Sequence, residues 1–229
     1  MRLKALITAA ALAATACQSP ANAAESVVAA PAAKRIAHET PGLKTAIFSG
    51  GCFWGVEAVF SHIKGVNSAV SGYDGGSKAD ADYETVSTGS TGHRESVKVT
   101  YDPKVVRYDQ LLQVFFSVAL DPTELNRQGP DSGTQYRSVI FYGNAEQQRI
   151  AGSYIAQLTA AKSFPAPIVT QVVPLKAFYP AEAYHQNYFR LHPNNPYIVF
   201  NDAPKVAQLK RLFPALYQPD RWVVEVQLP

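Results

Sequence analysis

The sequence predicts an α+β fold, a two-layer sandwich with helices packed on a mixed β-sheet. Three observations lead there. Short β-branched runs alternate with amphipathic stretches, but without the strict strand–helix rhythm of a doubly wound sheet. Apolar residues make up 47% of the 229 and charged ones 17%, a globular balance far from that of disordered chains. No internal repeat is visible, and the length suits one domain plus processing segments. The formal charge is only +3 and no dense Lys/Arg block occurs, which argues against nucleic acid or an anionic membrane as the main partner.

The N-terminus reads as a processing signal. Met1-Arg2-Leu3-Lys4 is a short basic start, residues 5–16 are an apolar run too short to span a bilayer comfortably, and Ala21-Asn22-Ala23 is a small-x-small cleavage pattern. Residues 1–23 are therefore expected to be a signal peptide, and the protein to be exported to a periplasm. Thr15-Ala16-Cys17 also ends the apolar run as a bacterial lipoprotein signal does, so lipidation at Cys17 and a membrane anchor is the second expectation. Residues 24–42, Ala-rich with scattered Pro and no period, read as a linker. A folded domain is expected over 43–217, followed by a tail, 218–229, with no assigned role.

Within that domain, 45–49 is a strand candidate ended by Gly50-Gly51. The stretch 52–63 carries apolar residues at Phe53, Val56, Val59, Phe60 and Ile63, which is helical spacing. Residues 65–73 predict a strand before the turn Asp74-Gly75-Gly76, and Val97, Val99 and Tyr101 alternate with polar partners in another. An amphipathic helix follows over 108–120, a strand over 137–142, a long helix over 145–162, and a last core strand over 168–175. Beyond it a long irregular C-terminal wrap is punctuated by Pro, with a short helix over 204–212. The two-layer sandwich is expected to have a ferredoxin-like core.

Cys52 is the residue whose chemistry stands out. The chain has two cysteines, and either processing outcome removes or caps Cys17, so an intramolecular disulfide is excluded for the mature form. The five histidines show no ligand spacing with Cys52, so no metal is expected. A buried core residue and a reactive thiol remain. Gly50-Gly51 lets the backbone turn sharply and leaves room beside the sulfur. A helix starting near Cys52 would place the sulfur at a positive dipole end, which favours a thiolate.

The pentapeptide Gly51-Cys52-Phe53-Trp54-Gly55 resembles the signature of the A-type peptide methionine sulfoxide reductases. Four further stretches resemble that family's landmarks, in its order: Gly72-Tyr73-Asp74-Gly75-Gly76, Thr91-Gly92-His93-Arg94-Glu95, Gly133-Thr134-Gln135-Tyr136-Arg137-Ser138 and Ala181-Glu182-Ala183-Tyr184-His185-Gln186. The resemblance implies a catalytic reductase domain that acts on the S epimer of methionine sulfoxide, free or in oxidised proteins. It implies that Cys52 is the nucleophile, Glu95 the general acid, and Tyr83 and Tyr136 the holders of the sulfoxide oxygen. It also implies that Phe53 and Trp54 form the methyl pocket and that Asp131 binds substrate or water. His185 is taken as a packing residue.

Those roles suit the chemistry. Oxide is a hopeless leaving group, so the oxygen must be protonated as the sulfur is attacked. A carboxyl kept neutral by an apolar site can do this, and tyrosine hydroxyls add neutral donors. Many relatives carry further cysteines near the C-terminus, but here 194–202 has none and no cysteine follows Cys52. The resemblance implies no bound cofactor, and without a second thiol the Cys52 sulfenic acid requires an external thiol reductant, thioredoxin-like or glutathione-like. A thiol peroxidase or an exported binding module with an aromatic cleft would be the competing readings.

Overall fold

The structure is a computed structural model that describes residues 28–219. The expected signal peptide, Cys17 and all but the first two residues of the 218–229 tail lie outside the described residues. In chain order the elements are β1 (Lys44–Ser49), α1 (Phe53–Ser61), β2 (Val66–Asp74), α2 (Tyr83–Ser87), β3 (Arg94–Tyr101), α3 (Tyr108–Val114), β4 (Arg127–Gln128), β5 (Asp131–Ser132), β6 (Val139–Tyr142), α4 (Ala145–Ala160), β7 (Gln171–Pro174), β8 (Phe178–Pro180), α5 (Tyr188–Leu191) and α6 (Ala203–Leu212). A wider π-type turn, Phe115–Ala119, continues α3, and another, Ile198–Asp202, leads into α6.

Six strands form one mixed sheet in the order β7-β6-β1-β3-β2-β8. The four inner strands pair antiparallel, while β7 joins β6 in parallel. Leaving aside the short α2 and the two-residue β4–β5 hairpin, the chain visits the inner strands as β-α-β-β-α-β. The α+β architecture agrees with the sequence pattern.

The core explains why β1 reads as a continuous apolar run rather than an alternating one: both of its faces are covered. Phe48, opposite Val97 and Ile140 in the ladder, packs under the helices, stacks on Phe60 at 4.9 Å and meets the tilted ring of Phe115 at 5.1 Å. Its neighbour Ile47 points the other way, into a smaller cluster with Val139 and Phe141. Burial of a ring such as Phe48 contributes about 1.5–3 kcal/mol, and Phe48→Ala would cost about 3–5 kcal/mol once the cavity is counted. The N-terminus of α4 is held by Asn144, whose side chain accepts the Gln147 N–H at 2.9 Å.

Three expectations are corrected. Residues 28–42 are not a loose linker but a strap laid on the helical layer. Ala30 and Ala37 are buried, and their N–H groups donate to Ser117 Oγ at 3.1 Å and Asp109 Oδ1 at 3.0 Å. Glu39 accepts from the Tyr101 hydroxyl at 2.6 Å and from the Tyr108 N–H at 3.0 Å. A strap of small residues satisfied by side chains of the body shows no periodicity, which is why composition alone reads it as a linker. Second, β7 is a half-exposed edge, and the last strand is β8, which closes the opposite edge on β2. Third, the tail begins inside the body: Gln218 is buried, its N–H donates to His62 O at 2.8 Å and its side-chain amide to Ile63 O at 3.0 Å.

Candidate active site

The turn after β1 aims Cys52 at the helical layer. Gly51 has φ +91, and a Cβ there would stand 2.6 Å from Gln128 Cβ, so only glycine fits this approach. Cys52 is the residue just ahead of α1, and the Trp54 backbone N–H is directed to its sulfur. The sulfur therefore sits at a helix N-terminus, as the sequence predicts. The expected thiolate does not follow. Burial pushes the Cys52 thiol well above its ordinary value, and the carboxyls of Glu95, Asp202 and Asp131 push it further, outweighing the Trp54 N–H. At neutral pH the resting group is a thiol.

Glu95 lies on β3 opposite Tyr73, with only 3% of its surface exposed. Its Oε2 accepts the Phe53 N–H at 3.0 Å, at the first turn of α1 beside Cys52. Burial, reinforced by Asp131 and Asp202, raises the carboxyl to about 8 against the pull of that N–H. The group is therefore neutral near pH 7, with Oε1 left to carry a donatable proton. A solvated strand-end carboxylate, the ordinary fate of a Glu, is ruled out by its burial.

Tyr83 opens α2, whose end is capped by Asp82 accepting from the Thr85 N–H at 3.0 Å. Tyr136 closes a single 3₁₀ turn, Thr134–Tyr136, entered through Gly133 at φ +144, a backbone region that only glycine visits readily. Burial raises both phenols, with Glu95 the next cause for each and Cys52 also contributing; Tyr136 is raised by Asp131 and Tyr83 as well. The four groups thus share one buried field, and both tyrosines are neutral donors. Asp131, on β5, is half-buried and accepts the Tyr197 hydroxyl; burial raises it, while that hydroxyl and Lys205 oppose the rise.

The two aromatic residues part company. Phe53 is 1% exposed and faces Tyr73 and His185 at 5.9 and 5.0 Å, so it lies under the site and offers no surface to a ligand in this form. Trp54 is half-buried, stacks on Tyr188 at 3.7 Å with planes 7° apart, and meets the edge of Tyr197 at 5.8 Å. Two tyrosines of the C-terminal wrap thus flank Trp54, while Phe53 is covered by Tyr73 and His185.

The wrap supplies what sequence reasoning missed. His185 does more than fill space: it accepts the Trp54 indole N–H on Nδ1 at 3.1 Å and packs on the Tyr83 ring at 4.4 Å. Burial lowers its pKa against the opposing effect of Glu182, so the ring is neutral with its proton on Nε2. Glu182 accepts the Tyr83 N–H and the Tyr73 hydroxyl, each at 2.9 Å, and so holds Tyr83 against β2. Asp202 is buried over the first turn of α1, where a Cβ on Gly55 would meet its Oδ1 at 2.2 Å. That second glycine of the GCFWG stretch was the available signal that something packs closely on this helix.

Residues 44–215 match the family model described as peptide methionine sulfoxide reductase. The chain is 67% identical over 177 residues to the peptide methionine sulfoxide reductase MsrA 2 of Mesorhizobium japonicum, covering 77% of this chain and 91% of that one. It is 46% identical over 172 residues to the MsrA 2 of Synechocystis, covering 75% and 80%. Among solved structures it is similar to methionine sulfoxide reductase A of Corynebacterium diphtheriae, at 36% identity and TM-score 0.58 over 68% of this chain and 78% of that one. It is likewise similar to reduced Mxr1 of Saccharomyces cerevisiae, at 31% identity and TM-score 0.62 over 71% and 92%. With a thiol, a neutral buried carboxyl and two phenols gathered at one helix end, and with this match along most of its length, the chain belongs to the peptide methionine sulfoxide reductase family and is an oxidoreductase that reduces methionine sulfoxide.

Proposed function

We propose that Cys52 attacks the sulfur of methionine-S-sulfoxide while Glu95 protonates its oxygen, with the Tyr83 and Tyr136 hydroxyls donating to that oxygen. The observation that carries this reading is Glu95, buried beside Cys52 and neutral up to about pH 8. Cys52 also rests protonated. Once Glu95 has given its proton to the oxygen, its carboxylate takes the thiol proton, so bulk solvent need supply none. A bond forms between the Cys52 sulfur and the substrate sulfur as the S–O bond breaks and the oxygen, carrying the Glu95 and thiol protons, departs as water; that water then adds to the Cys52 sulfur, the sulfur–sulfur bond breaks, methionine leaves as the sulfide and one proton returns to Glu95. Cys52 is left as a sulfenic acid; the substrate sulfur is reduced by two electrons and Cys52 oxidised by two. Trp54, Tyr188 and Tyr197 form the wall for the methyl group, and Asp131, tied to Tyr197, orients that ring.

Recycling needs two thiols from outside: one forms a mixed disulfide with Cys52 and releases water, and the second frees the Cys52 thiol. A thioredoxin-like protein or a glutathione-like small thiol fits, because no cysteine follows Cys52 in the chain. Oxidised proteins and free methionine sulfoxide are the substrates. Export to a periplasm, with residues 1–23 as signal or Cys17 lipidated, is supported by the basic start, the apolar run and the small-x-small site. In an oxidising compartment the reducing power would have to arrive by a dedicated thiol relay.

A single-turnover reaction without added thiol tests the scheme. It should yield one methionine per enzyme from the S epimer and leave a sulfenic acid that dimedone traps. Equal turnover of the two epimers, or an intramolecular disulfide in place of the trapped species, overturns it.

A further inference from the structure

Glu57 is a second buried carboxyl, and the scheme above does not use it. It sits on α1 one turn beyond Phe53, with 3% of its surface exposed. Its Oε2 accepts the Ser71 hydroxyl of β2, and its Oε1 accepts the Asn187 backbone N–H at 2.7 Å. Asn187 stands at φ +54, the left-handed conformation that asparagine tolerates better than most residues, and it is the last residue before α5. The first residue of α5 is Tyr188, the ring stacked on Trp54.

The surrounding bonds make this a built joint. Gln186 accepts the Ser71 N–H at 3.0 Å and donates to Ser71 O and Ala181 O at 2.9 Å each, so the backbone of one β2 residue is gripped by Gln186 and its hydroxyl by Glu57. A short α5 of four residues has little stability of its own. Its place against α1 therefore depends on what holds its first turn. We propose that Glu57 is a positioning residue for the substrate wall: through the Asn187 N–H it sets Tyr188 against Trp54 at stacking distance. It touches neither the sulfoxide nor Cys52, and it governs how tightly the methyl-bearing end of the substrate is held rather than how fast the oxygen is transferred. This rests on the reading that Trp54 and Tyr188 line that wall.

The test uses the full chain with Trp222→Phe, so that Trp54 is the only indole. Glu57→Gln puts an amide N–H opposite one of two donors; Glu57→Asp keeps the carboxylate but falls one methylene short, and serves if the first variant folds poorly. The expected result is a KM for methionine sulfoxide raised about fivefold to tenfold, the scale of a lost aromatic stack, with the saturated single-turnover rate changed less than about threefold and Trp54 emission shifted. Tyr188→Ala should reproduce the KM rise, and the double variant should be no worse than Tyr188→Ala alone. Additive KM effects, or an emission unchanged in a Glu57 variant that folds, overturn the assignment. If Glu57→Gln moves the emission but Tyr188→Ala leaves KM unchanged, the wall reading is what falls, and the specificity role falls with it.

Discussion

Glu95 and Glu57 are equally buried glutamates, each accepting a backbone N–H, yet the two regions around them serve different ends. Around Glu95 the carboxyl receives one donor, from Phe53, and faces two further carboxyls, Asp131 and Asp202; it rises to about 8. Around Glu57 there are two donors, Ser71 and Asn187, and the group rises only to about 7. Burial is the leading cause in both. The neighbours then decide: one donor and two like charges leave a proton to give away, whereas two donors use the oxygens as anchors. Equal burial does not imply equal function.

The comparison makes claims that experiments can strain. Cys52→Ser should abolish reduction entirely, measured as methionine released in single turnover, because a hydroxyl is no sulfur nucleophile. Glu95→Gln should keep the fold and bind substrate but slow that step on the order of a hundredfold or more. A near-full rate in this variant would move the acid role elsewhere.

The pH dependence separates the two carboxyls. For the wild type, the single-turnover rate should fall as pH rises through about 8, where Glu95 loses its proton. Stability has a definite sign as well. The folded Glu95 holds its proton up to about 8 and the unfolded one only to about 4.5, so the folded state binds more protons between them and stability declines across that window. Glu57 adds a similar decline that ends near 7. Denaturant midpoints from about pH 5 to about pH 9 should show the slope, and Glu95→Gln should remove the part nearest pH 8.

Smaller effects probe the edges. Tyr83→Phe and Tyr136→Phe should each slow the step on the order of tenfold, the worth of one hydrogen bond, and more together because each covers for the other. Glu39→Ala, in the strap far from the chemistry, should cost about 1–3 kcal/mol by orphaning the Tyr101 hydroxyl and the Tyr108 N–H. Its single-turnover rate should match the wild type; a lower one would tie the strap to the site.

The turns beside Cys52 and Tyr136 were legible because glycines mark them, whereas Glu95, Tyr83 and Asp131 were named only through the family resemblance. Gly51 and Gly133 hold backbone angles that other residues resist, so those turns announce themselves. The wrap was not legible, since Tyr188, Tyr197 and Asp202 sit among Pro-punctuated segments without a period and matter only through what they touch. The strap was misread for the same reason.

By itself, the sequence determined the α+β class, the helix that begins after Cys52, and the absence of a second thiol beyond it, because periodicity, glycine spacing and residue counts are properties of the chain alone. Only the tertiary structure decided that Cys52 rests as a thiol, that Glu95 is neutral, that Phe53 lies beneath the site, and that Tyr188 rather than Phe53 faces Trp54. The first two depend on burial above all, with carboxyls from distant parts of the chain adding to it, and the last two on rings brought together by the fold. Desolvation and charge act through space, at distances that spacing along a chain does not encode.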